Sequence, residues 1–204
     1  MLDNDLATMV ATLMQSRRTI LPKRLMEPGP DVQELELILE AAASAPDHGQ
    51  LLPWRFVRVP AQARGDLASV FGDALLERDA MATPDQVAQA REKAFRAPLL
   101  LLAVVDAKCG DPAIDLQERT VSAGCAMQNM LLMATALGYG SSLTSGKALK
   151  SVSLRRLFDL GEDEHALCFI CIGSVHTRKQ ERLRPVVSDY VSTLVPTSDK
   201  PLHG

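Results

Sequence analysis

Apolar residues at Leu6, Met9, Val10, Leu13 and Met14 recur at the spacing of one helical face, which predicts an amphipathic helix over residues 3–15. It runs out into Ser16-Arg17-Arg18-Thr19. The same period returns at Val32, Leu35, Ile38, Leu39 and Ala42. Asp31 can cap this second helix, with Glu34 three residues on and Pro28 and Pro30 just before. Pro46 then removes a backbone donor and discourages helix at Ala45, so the chain leaves the helix there. Over Trp54–Val59, Phe56 alternates with its neighbours as in a strand. Residues 65–96 carry helical character twice, and Thr83-Pro84-Asp85-Gln86 supplies a cap, a first-turn proline and a third-position glutamine.

Leu99 through Val105 hold no polar residue, and so short a run ending at Asp106 fits a strand covered on both faces. Residues 119–137 give the longest helix. Met127, Met130, Leu131, Ala134 and Leu137 mark one face and the other carries little charge, so this helix is expected to be buried. Ser122, Ala123, Gly124 and Ala126 would admit another backbone closely, either in the core or at a subunit contact. Gly138 to Gly146, rich in glycine and serine, reads as a loop. A short helix near Ser153–Asp159 stops at Gly161, and Ala166–Val175 reads as a second buried strand. His176 to Pro185 is basic, through Arg178, Lys179, Arg182 and Arg184, and Val186–Val195 is apolar again. No repeat, low-complexity tract or linker interrupts the chain, so residues 1–204 read as one domain.

An apolar fraction of 47% with 23% charged residues suits an ordinary globular protein, and a net charge of −3 gives no electrostatic reason to expect nucleic acid. No apolar run reaches the ~18 residues of a membrane span. Asp3 and Asp5 precede any basic residue, unlike a secretory signal. Four cysteines in a chain this long do not suggest a disulfide scaffold. The expected location is cytoplasmic.

Chemistry-bearing residues gather in few places. Ser44 to Trp54 places Asp47, His48 and Gln50 on a loop pinned by regular structure at both ends, which suits binding; a polar turn closed by an Asx-type bond at Asp47 fits as well. Arg17 and Arg18 with the Thr19 hydroxyl could satisfy most oxygens of a phosphate, or could be a solvated helix end whose charge suits the dipole. Cys168 and Cys171 form a C-x-x-C inside a strand, where residues three apart face opposite sides, so buried structural thiols are expected. His48, His165, His176 and His203 lack metal-ligand spacing. Nucleophile elbow and Walker loop are absent, and Gly138-Tyr139-Gly140 follows a helix, unlike a dinucleotide fingerprint.

Taken in order, Ser16-Arg17-Arg18-Thr19, Ala45-Pro46-Asp47-His48 and Gln50-Leu51-Leu52-Pro53-Trp54 resemble the FMN-dependent nitroreductases, most nearly their small bacterial YdjA-type NAD(P)H subgroup. Ala94 to Pro98, Ser122 to Cys125, and Gly138-Tyr139-Gly140 leading to Ser145-Gly146 agree. The resemblance covers residues 10 to about 175; the tail 176–204 matches poorly and could reach a partner subunit. It implies an α+β, three-layer fold, with a mainly antiparallel central sheet flanked by helices. It also implies an intertwined homodimer with two FMN sites at the interface. NAD(P)H would be co-substrate, hydride passing by ping-pong through flavin to a nitroaromatic, quinone or similar electron-poor acceptor; no dedicated acid or base is needed. A flavin-binding relative with a different reaction is the alternative. Carried over by position, Arg17, Arg18 and Thr19 would hold the FMN phosphate and ribityl region. Ser44 and His48 would contact FMN from the partner chain, and Leu143, Thr144, Ser145 and Gly146 would form the other contacting loop. The subgroup has serine at Thr19, arginine at Ser44 and Trp-Arg at Leu143-Thr144, so two cations are missing here. Lys147 or Arg184 could compensate.

Overall fold

The computed structural model describes residues 2–176, 183–194 and 196; Arg178, Lys179, Arg182, Val195 and His203 lie outside them. Four strands form one antiparallel sheet in the order β1-β2-β4-β3: β1 Trp54–Arg58, β2 Leu99–Asp106, β3 Gly140–Thr144 and β4 Glu164–Gly173. Strand β2, apolar from Leu99 to Val105, sits inside the sheet beside β4 and pairs Leu99 with Ile172 and Leu101 with Ile170. Its side chains alternate between two cores. Leu99, Leu101 and Ala103 join Cys168, Ile170 and Ile172 of β4 on one face, under the helices α2 (Val32–Ala42) and α5 (Leu116–Ala136). Leu100, Leu102 and Val104 join Phe169 and Cys171 on the other, against α3 (Arg64–Arg78) and α6 (Val152–Leu157). The result is three layers, helix on sheet on helix. A strand covered on both faces needs no polar alternation, which is why β2 reads as continuous apolar sequence.

The local signals act as expected at most boundaries. Asp31 accepts from the Glu34 amide while the Glu34 carboxylate accepts from the Asp31 amide, both at 2.9 Å, and Thr83 with Gln86 repeats this box before α4 (Pro84–Glu92). Gly138, at φ +91°, ends α5 in the left-handed conformation. Cys168 and Cys171 fall on opposite faces of β4, and burial pushes the Cys168 thiol up to about 11. They are core residues.

One segment differs. Gly138 to Gly146, expected as loop, contains the edge strand β3, paired with β4 from Gly140–Gly173 to Thr144–Phe169. Two serines are poor strand formers, but the ladder to β4 and burial of Gly140 to Ser142 override that preference. Gly140 is required by packing, because a Cβ there would sit 2.2 Å from Val175 Cγ2. On its outer side, Thr19 bridges Ser141 and the Ile20 amide donates to the Ser141 carbonyl at 2.9 Å.

The helix expected over 3–15 is α1 (Leu2–Ser16), but its apolar face is not in the core. Leu6 and Met9 are 62% and 69% exposed, and Val10 and Met14 are exposed too. On α5, Val121 is also exposed and a Cβ at Gly124 would meet nothing within 4 Å. The helix expected to be buried all round is therefore buried on one side only. Periodicity identifies an apolar face, not what covers it.

Candidate functional site

The first group of candidate residues lies where α1 meets β3. The bridge from Thr19 to Ser141 holds Arg17, Arg18 and Thr19 beside the strand that carries Leu143 and Thr144 and runs into Ser145 and Gly146. Arg17 Nη1 donates to Thr19 Oγ1 at 3.4 Å. Arg18 donates through Nη1 to the carbonyls of Gln15 and Arg17, so it caps the last turn of α1, as its helix-end reading expects. A third guanidinium arrives from the tail, and Arg184 Nη2 donates to the Arg17 carbonyl at 3.0 Å. Burial, then the positive charges of Arg184 and Arg18, lower the Arg17 pKa. Guanidinium groups gathered this closely form a positive patch where an anion is stabilised. Leu143 is exposed, Ser145 and Gly146 are exposed, and a Cβ at Gly146 would meet nothing within 4 Å. Ser141 Oγ is buried with no hydrogen-bond partner among the described residues. Cations, a hydroxyl and an open loop backbone suit a phosphate with an attached polar chain, so the donor set fits FMN.

The second group follows α2. Ser44 is exposed, its amide on the Ala41 carbonyl at 3.3 Å. Asp47 Oδ2 accepts from the Leu52 amide at 2.7 Å, so the aspartate closes the turn and is structural. His48 Nδ1 lies 2.8 Å from Glu118 Oε2 on the first turn of α5. Gly49, Gln50 and Leu52 have φ of +71°, +53° and +48°; for glutamine and leucine this is an uncommon conformation that the surroundings must hold.

These two groups stand at opposite edges of the sheet. The 44–48 segment precedes edge strand β1, whereas Arg17–Thr19 and Leu143–Gly146 belong to edge β3, with β2 and β4 between them. Three strand spacings amount to roughly 14 Å. One chain therefore brings Arg17, Arg18 and Thr19 to Leu143–Gly146 but does not bring Ser44 and His48 to them. A cleft bounded by Leu25, Glu27, Arg64, Phe95 and Pro98 shares no residue with either group.

Two buried arginines escaped the sequence reading. Arg119, 1% exposed, donates to the carbonyls of Ile114, Cys109 and Asp111 at 2.8, 2.6 and 2.7 Å. Arg64 does the same for Val59, Ala94 and Pro98. Each ties down loop carbonyls, and a lone arginine inside a helical pattern gives no hint of that. Glu118 escaped for the same reason. Trp54 Nε1 donates to Ser122 Oγ at 3.0 Å, which joins the start of β1 to α5.

A model of the nitroreductase family matches residues 14–174, a span that holds Arg17–Thr19, Ser44, His48 and Leu143–Gly146 but not Arg184. The chain belongs to the nitroreductase family. This is a family of oxidoreductases that generally depend on flavin. The chain is 33% identical over 166 residues to the Escherichia coli protein named "Putative NAD(P)H nitroreductase YdjA", across 79% of this chain and 86% of that one. Its fold matches a nitroreductase-like family protein from Bacillus cereus with TM-score 0.75 at 16% identity, covering 91% of this chain and 95% of the other. It also matches an iodotyrosine deiodinase bound to FMN and 3-iodo-L-tyrosine, TM-score 0.65 at 18% identity, over 92% and 98% of the two chains. Likeness at such identity establishes the shared fold. Among the described residues, no helix is long and apolar enough to cross a membrane, and no group of three or more His, Cys, Asp or Glu could hold a metal ion.

Proposed function

We propose that this nitroreductase-family chain forms a homodimer that holds two FMN molecules at its interface, each gripped by Arg17, Arg18, Thr19 and Leu143–Gly146 of one subunit and by Ser44 and His48 of the other. The observation that carries the proposal is the placement of those two groups at opposite edges of one sheet, which only a second copy can join. The exposed apolar face of α1 and the open surface at Gly124 supply the contact area such a dimer needs.

Arg17 neutralises the phosphate and the Thr19 hydroxyl adds a hydrogen bond. Arg184 makes up for the missing subgroup cations at positions 44 and 144, because its guanidinium already sits on Arg17. Lys147 begins the short turn after Gly146 on the same edge. Leu143 offers an apolar surface, and the backbone of Thr144–Gly146 offers donors. Bound FMN would supply hydride transfer from NAD(P)H to a nitroaromatic, quinone or similar electron-poor acceptor by ping-pong. The chain's residues bind and orient; none is assigned as acid or base. The test is the visible absorbance of the purified protein with and without added FMN, combined with its mass in solution. A yellow dimer is expected, and a colourless protein that takes up no FMN contradicts the reading.

The absence of arginine at Ser44 and of Trp-Arg at Leu143-Thr144 favours a second reading, a flavin-binding relative with a different reaction and little nitroreductase turnover. Oxidation of NADH and NADPH in the presence of a quinone or nitroaromatic separates the two.

A further inference from the structure

We infer that Glu118 is a positioning residue, holding the His48 imidazole by Nδ1 so that Nε2 is presented to the flavin bound across the subunit interface. The inference rests on the proposed flavin site and deepens it.

The pair spans 70 positions of sequence at 2.8 Å, with side chains 67% and 49% exposed. An ion pair or hydrogen bond that open contributes little to stability. Its geometry is nevertheless strongly determined. The Glu118 amide donates to Asp115 Oδ1 at 3.0 Å, which fixes the backbone at the start of α5. One residue on, Arg119 locks the carbonyls of Cys109, Asp111 and Ile114. That clamped loop abuts the histidine turn: a Cβ at Gly110 would lie 2.5 Å from Leu51 Cδ2, and one at Gly49 would lie 3.2 Å from Ile114 Cδ1. One turn further along α5, Ser122 holds Trp54. Glu118, Arg119 and Ser122 thus form a platform under residues 48–54, whose backbone includes two non-glycine residues at positive φ. Strain held in place beside an exposed imidazole is the mark of an oriented group rather than of a casual surface contact.

The ring chemistry then decides what is left. Carboxylate oxygen accepts, so Nδ1 carries hydrogen and Nε2 on the far side of the ring is the remaining hydrogen-bonding atom. Without Glu118, the ring reverts to the behaviour of a solvated histidine, which favours hydrogen on Nε2.

The test is nitrogen-15 NMR of the His48 ring in mildly alkaline buffer for the purified wild-type, Glu118→Gln and Glu118→Ala proteins. FMN titrations are run on these proteins and on His48→Ala. Wild type and Glu118→Gln are expected to carry hydrogen on Nδ1. Glu118→Ala is expected to lose that preference and to bind FMN about fivefold more weakly, while Glu118→Gln, which keeps an acceptor, stays near wild type. Hydrogen on Nε2 in the wild type overturns the inference. So does wild-type FMN affinity in Glu118→Ala when His48→Ala is weakened; the flavin-site reading then survives. His48→Ala that binds FMN as tightly as wild type overturns the flavin contact itself, and Glu118's role with it.

Discussion

Arg17 is the residue on which the electrostatics turn. It is partly buried, and its two named charged neighbours, Arg184 and Arg18, are both positive. Arg17→Ala is expected to weaken FMN about ten- to a hundredfold, the range of a charge-assisted hydrogen bond to phosphate, while riboflavin, which has no phosphate, changes far less. Equal losses for both ligands in a fluorescence titration would contradict a phosphate role. The buried thiols behave oppositely. Replacing Cys168 and Cys171 together by alanine is expected to lower stability by about 1–3 kcal/mol and leave FMN content unchanged, because they pack on opposite sides of β4. Loss of flavin in the double variant would contradict their structural assignment. Arg17, His48 and the cysteines were legible because two arginines at a helix end, an imidazole in a pinned loop and a C-x-x-C in a strand each carry a local signal. Glu118 and Arg119 were not, since their partners lie in other segments and nothing in a helical pattern marks which charge turns inward.

At the level of elements, β2 and its partner β4 hold the two edges apart at a fixed spacing. Leu102, fully buried between α3 and the sheet, should cost about 2–5 kcal/mol when cut to alanine, read from denaturant unfolding. A two-pronged bond ties β1 to the start of β4 across β2: Arg55 Nε donates to Glu164 Oε1 at 2.6 Å and Nη2 to Oε2 at 2.9 Å. That bond, ahead of the Gly161 amide and nearby positive charge, holds the Glu164 carboxyl below its ordinary value of 4.5. A lowered folded pKa means the contribution is complete above 4.5 and is lost as pH falls through the folded value. Acid titration of stability should therefore show a shallower loss below that pH in Glu164→Gln than in wild type; identical profiles would contradict the assignment. The helices, the caps at Asp31 and Thr83 and the two buried strands could be read from period and capping chemistry, whereas the caps at Asp115 and Ser151 were not. Strand β3 could not, because serine and glycine speak for a loop and only the waiting edge of β4 makes them a strand.

For the molecule as a whole, the apolar stripe of α1 was visible in the sequence but its destination was not, and the single chain leaves it exposed. In the proposed dimer, that stripe would pack against the second copy. Met9→Glu together with Val10→Glu is expected to split the dimer and release FMN in the same protein, seen by sedimentation and absorbance; a monomer that keeps its flavin would contradict an interface site. The sheet order makes a sharper comparison possible. If Arg17 of one subunit and His48 of the other share each flavin, a mixed dimer of Arg17→Ala and His48→Ala chains has both lesions in one site and none in the other. FMN titration of the co-expressed pair should then recover wild-type affinity in about one quarter of all sites, given random two-fold assembly, although neither variant recovers any alone. Recovery of no tight sites in isolated mixed dimers would place both residues around the same flavin within one chain and contradict a site shared between two.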